Sequence, residues 1–92
     1  MTKKAIIVRM LHNLINVARS EKDGESMLRY LDAILAIDQS AHAERWLRAV
    51  FRYQAGRHSA ALADCEFLLK HAPPEVDLDD VRELQRILEK KS

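Results

Sequence analysis

Apolar residues recur along this chain at intervals of three and four, the period of helices that each bury one face. Between Lys3 and Ser20 the positions Ile7, Met10, Leu11, Leu14, Val17 and Ala18 form one such stripe, with Thr2 placed to cap it. The polar stretch Glu21-Lys22-Asp23-Gly24 breaks the pattern, and Asp23 suits the N-cap of a second helix running to about Ile37. Its stripe is Met27, Leu28, Leu31, Ile34 and Leu35. Ser40 is expected to cap a third helix, which Gly56 ends by supplying a left-handed turn. A fourth helix covers about Ser59 to His71, stopped by Pro73-Pro74. The fifth opens with Asp77, Asp79 and Asp80 and closes with Lys90 and Lys91, both matched to the helix dipole. Its stripe is Val81, Leu84 and Leu88, with Ile87 beside it. The pattern predicts an all-α chain of five helices.

Sliding the chain against itself by 34 residues brings the second and fourth helices into register. Met27, Leu28, Leu31, Ile34 and Leu35 then fall on Ala61, Leu62, Cys65, Leu68 and Leu69, and Asp38-Gln39 falls on Ala72-Pro73. A helix–turn–helix period of this length marks units that stack and bury each other's faces. From this register Leu31, Leu35, Leu62, Cys65 and Leu69 are expected in the core.

The segment Tyr53-Gln54-Ala55-Gly56-Arg57-His58-Ser59-Ala60-Ala61-Leu62-Ala63-Asp64 resembles the turn between the two helices of a tetratricopeptide (TPR) unit. Gly56 stands at the family's turn glycine, Ala61 at the small residue where the helices approach, and Pro73 at the closing proline. Together with Arg9-Met10-Leu11-His12-Asn13-Leu14, this turn is similar to the C-terminal TPR region of bacterial transglutaminase-like proteins. The resemblance implies one helical-repeat domain over 1–92: a unit at about 8–41, a second at about 42–75, and a capping helix at about 77–91. The second unit follows the family well. The first departs from it, with Lys22 for the turn glycine, Gly24 at a usual aromatic, Met27 for the small alanine and Gln39 for the proline. The leading helices also match poorly, since Leu11, Leu14 and Ala18 fall opposite Arg45, Arg48 and Arg52.

Composition narrows the function classes. Two glycines and two prolines in 92 residues favour helix nearly throughout. Fifteen basic against 14 acidic residues give a net charge of +1, which exerts no general pull on nucleic acid or anionic membrane. The N-terminal apolar run, Ala5-Ile6-Ile7-Val8, is far short of a membrane span, and Arg9 interrupts it before a signal-peptide core could form. The lone Cys65 suits a reducing compartment, so the expectation is a soluble, cytoplasmic domain.

Candidate chemistry is sparse. Cys65 and His58 share a helix face but lie about 10 Å apart along the axis, beyond the contact that activates a thiol. Cys65 also falls on the core stripe. The histidines His12, His42, His58 and His71 show no metal-ligand spacing, and no phosphate loop or nucleophile elbow is present. The expectation is no enzyme, with no catalytic residue, cofactor or metal.

Two surfaces remain. Arg45, Arg48 and Arg52 share one side of the third helix, where they could grip phosphates or an acidic peptide, or pair internally with Glu44, Asp64 or Glu66. Internal pairing suits the balanced net charge better, and a nucleic-acid role lacks interleaved aromatics and a basic excess. The TPR resemblance implies a concave face lined by the first helix of each unit. Here that means Arg9, His12, Asn16 and Arg19, with Trp46, Val50, Tyr53 and Gln54. Tryptophan and tyrosine are favoured interface anchors, although Trp46 could equally be a core residue. A TPR subclass grips C-terminal carboxylates; Asn16 fits one of its positions, but His12 replaces a lysine and Leu47 an asparagine. The leading expectation is a module that binds a protein or peptide, including a binder engineered on such a scaffold. A structural appendage of a transglutaminase-like protein is the alternative.

Overall fold

The computed structural model describes residues 3–91, and the side chains of all of these except 4, 5, 8, 15, 18 and 91. The described chain is all-helical: α1 (Lys3–Ser20), α2 (Gly24–Ile37), α3 (His42–Gln54), α4 (His58–His71) and α5 (Leu78–Lys91). It forms two compact units, Met1–Ala41 and His42–Ser92. In the first, α1 packs on α2. In the second, α4 packs on both α3 and α5. The expected cap Thr2 and the side chain of Ala18 lie outside the described residues.

The 34-residue repeat extends to the backbone. At the end of α1, Glu21 N–H bonds to Val17 C=O and Lys22 N–H to Arg19 C=O; at the end of α3, Ala55 bonds to Phe51 and Gly56 to Tyr53 in the same way. Entry to the next helix repeats too, in Met27 to Asp23 and Ala61 to Arg57, as does exit from it, in Asp38 to Ile34 and Ala72 to Leu68. Each hairpin reverses through one left-handed residue, Lys22 with φ 58° and Gly56 with φ 79°. After Gly56, Arg57 N–H reaches back to Arg52 C=O at 2.8 Å and completes a Schellman closure. Glycine occupies that conformation without strain, whereas an L side chain meets its own backbone there.

Caps fix where the helices start and stop. Asp23 Oδ1 accepts the Ser26 N–H at 3.1 Å and its Oδ2 accepts the Ser26 hydroxyl at 2.6 Å. The hydroxyl and then the amide hold the Asp23 carboxyl below its ordinary pKa. The cap is therefore at full strength at neutral pH and is lost as acid protonates that carboxyl. Ser40 does not cap α3, because its N–H and hydroxyl both donate to Asp38. The helix starts two residues later, at His42. Ala72, in the left-handed region at φ 47°, closes α4 one residue before Pro73.

The core lies where the repeat register puts it, with two corrections. Met27, Leu28, Leu31, Ile34 and Leu35 are buried on α2, and Ala61, Cys65 and Leu68 on α4. Leu62 and Leu69, expected deep in the core, are only half-buried at its margin. The centre of the second unit is instead completed by Ala49 from α3 and by Val76, Val81, Leu84 and Leu88 from the α5 segment. The larger correction concerns α1. Ile7, Met10, Leu14 and Val17 were expected inside, yet these side chains and Ile6 are 43–59% exposed, and Leu11 is half-buried. The described apolar side chains of α1 spread over a wide arc, from the exposed Ile6 and Val17 round to the half-buried Leu11. One partner helix covers only one side of such a cylinder.

The strained turn residue gives a direct test. Lys22→Gly should raise stability by about 1 kcal/mol, and Gly56→Ala should lower it by about as much, both read from urea unfolding. A Cβ added at Gly56 would meet no neighbouring atom, so the loss there measures backbone strain alone.

Candidate functional site

The arginine stripe of α3 is turned inward onto the carboxylate of Asp64. Asp64 sits on the face of α4 that meets α3, and its side chain is 3% exposed. Arg48 grips it as a two-pronged fork, Nε to Oδ2 at 3.0 Å and Nη2 to Oδ1 at 2.7 Å. Arg52 Nη1 adds a bond to Oδ2 at 2.9 Å and another to the Ala60 carbonyl at 3.2 Å. Arg45 stands farther off, with Nη1 3.7 Å from Oδ1 and its guanidinium 3.7 Å from the centre of the Phe67 ring. Burial, and next the charge of Arg48, lower the Arg45 pKa from its ordinary value, while Asp64 opposes them. Of the proposed acidic partners Asp64 is the one that reaches across, whereas Glu66 is exposed. The side chains of the three arginines keep only 11–19% of their surface, so their chemistry is directed into the fold.

Cys65 follows Asp64 and is fully buried in the second unit's core. Burial first, then the charges of Asp64 and Glu66, push its thiol up to about 11. Thiolate is therefore scarce near neutral pH, the opposite of what a nucleophilic cysteine needs. His58 instead sets its ring beside Tyr53, with centroids 5.9 Å apart. Among the described residues no group of three His, Cys, Asp or Glu could hold a metal ion. No described helix is long and apolar enough to cross a membrane.

The eight residues expected to bind a partner fall four in each unit. On α1, Arg9, Asn16 and Arg19 are exposed and His12 is half-buried. On α3, Trp46, Val50 and Tyr53 are half-buried and pack against the second unit's core, while Gln54 is exposed. Trp46 is thus part of the packing of its own unit.

Sequence reasoning missed the open apolar face of α1, made by Ile6, Ile7, Met10, Leu14 and Val17. A shallow hollow of about 280 Å³ runs along it, lined by Met10, Asn13, Leu14 and Val17. The available signal was the width of the apolar arc on α1, which exceeds what one partner helix covers.

Removing the central carboxylate takes away the acceptor that Arg48 and Arg52 both bond and that Arg45 faces. Asp64→Ala should cost about 3 kcal/mol in urea unfolding, and Arg48→Ala less, because Arg45 and Arg52 still face the carboxylate. A thiol reagent at pH 8 should leave Cys65 unmodified in the folded chain and modify it fully in denaturant.

No protein-family model matches this chain, and no curated protein or solved structure matches it.

Proposed function

We propose that this chain is a non-catalytic protein-interaction domain of TPR type, which binds a protein or peptide. The observation that carries this reading is α1, where Ile6, Ile7, Met10, Leu14 and Val17 lie 43–59% exposed along one helix. A contiguous apolar strip of this kind is what protein partners cover. Arg9, Asn16 and Arg19, exposed on the same helix, supply the polar rim that such patches carry. Repetition of the turn hydrogen bonds at 34 residues supports the TPR type. The buried Cys65, with its thiol raised to about 11, supports a non-catalytic role. The engagement of Arg45, Arg48 and Arg52 with Asp64 supports an internal task for that stripe over nucleic-acid binding.

The position of the strip also favours a second reading. It lies on α1, where a domain preceding this one in a longer protein would pack, as in a structural appendage of a transglutaminase-like protein. Affinity capture with this chain, followed by titration of the captured partner against variants, separates the two. In the first reading Arg9→Glu and Met10→Lys, both on α1, each weaken binding by about 1 kcal/mol or more, while circular dichroism stays helical. If both variants bind as the parent does, the α1 strip is not the binding surface.

A further inference from the structure

We infer that Asp23–Gly24 is a modification site, a junction that isomerises to isoaspartate without an enzyme and is held in check by the bonds that cap α2. The chemistry needs an aspartyl side chain followed by an unhindered amide. Asp23 alone precedes a glycine; the other six aspartates precede Ala33, Gln39, Cys65, Leu78, Asp80 and Val81, whose side chains crowd the approach. Asp23 and Gly24 are both exposed, and even a Cβ placed on Gly24 would meet no neighbouring atom. In the reaction the Gly24 nitrogen attacks Asp23 Cγ. A C–N bond forms, the Cγ–OH bond breaks, and the amide proton leaves with that hydroxyl as water. The five-membered imide then takes up water at either carbonyl. Opening at Cγ restores Asp23, whereas opening at the original main-chain carbonyl routes the backbone through Cγ and lengthens it by one methylene. Water is the only co-reactant, and nothing is oxidised or reduced.

The folded turn keeps the two reacting atoms apart. With Asp23 at ψ 83°, the Gly24 nitrogen lies across the Cα–C bond from the Asp23 Cβ, while ring closure needs both on the same side. The carboxyl is also drawn away, with Oδ1 accepting the Ser26 N–H at 3.1 Å and Oδ2 the Ser26 hydroxyl at 2.6 Å. Arg29 Nη2 fixes that hydroxyl in turn, donating to it at 3.0 Å. These bonds to Asp23 favour the ionised carboxylate, which is a poor electrophile because it offers no hydroxyl to leave. Closure therefore waits for the first turn of α2 to open. Lys22 eases that opening, since it holds φ 58° against a steric cost that it sheds when the turn relaxes. At the matching turn of the second unit Arg57-His58 stands in place of Asp23-Gly24, so the reaction is confined to the first unit. The product no longer carries the cap. Its carboxyl hangs from a lengthened backbone, Ser26 loses its acceptor, and the start of α2 frays.

The test incubates the full chain in mildly acidic buffer, with and without urea. Tryptic peptides carrying Asp23 are then followed for a second chromatographic form of unchanged mass, preceded by a form lighter by one water. Conversion should be slow in the folded parent and much faster in urea. Ser26→Ala, which removes the hydroxyl bond, should speed conversion in buffer by about threefold or more while circular dichroism stays helical. Gly24→Ala should bring it close to nothing even in urea. A parent that forms no isoaspartate in urea overturns the site. Equal rates with and without urea overturn the gating by the cap, and so does a helical Ser26→Ala variant that converts like the parent. If Ser26→Ala loses its helices, the parent's two rates still decide. Chains separated in the isoaspartyl form should unfold at lower urea than the parent, and an unchanged midpoint overturns the fraying of α2.

Discussion

In both hairpins the chain reverses through one left-handed residue, and that reversal decides which face of the following helix is buried. After Lys22 and after Gly56 the same hydrogen bonds close the old helix and open the new one. The hydrogen bonds by which α1 passes into α2 are thus repeated where α3 passes into α4. The buried stripes of α2 and α4 share a register because the turns that launch them share a geometry. Gly56 adopts the required φ freely, while Lys22 holds it against steric cost and is retained by the packing of Met27, Leu28 and Leu31 beyond it.

The two units fill corresponding positions with different chemistry. Where α1 carries Leu11, Leu14 and Ala18, α3 carries Arg45, Arg48 and Arg52, and the partner helix answers with Asp64. A cluster of this kind needs near-complete hydrogen bonding to offset the loss of water around four charges. The fork from Arg48, the bridging bond from Arg52 and the Phe67 ring under Arg45 supply much of that compensation. In exchange the geometry is directional: the guanidinium fork fits a carboxylate in few orientations, which fixes the register of α3 on α4. The second unit adds α5, so that Val81, Leu84 and Leu88 cover the outer side of α4.

The first unit has two helices and correspondingly less with which to cover itself. An apolar arc wider than one helix contact leaves part of α1 open. Its side chains are large and apolar, and Arg9 and Arg19 are exposed on the same helix.

Much of the fold was legible in the residues. Helical period, the Asp23 cap, the turn at Gly56 and the α5 stripe are local features, decided by neighbours within a turn or two, and the sequence by itself determined them. The repeat register was also legible, because turn and stripe recur together. Exposure of Leu14 beside the half-buried Leu11 was not, and neither was the half-exposure of Leu62 and Leu69, since periodicity says that a helix has an apolar face but not how many partners cover it. The arginine stripe could be read as a binding site or as an internal cluster until the tertiary structure placed Asp64 within 2.7 Å of Arg48, across 16 residues of sequence. Local pattern fixes which way each side chain points from its own helix axis. Only the packing of one helix on another decides whether water or a partner stands in front of it.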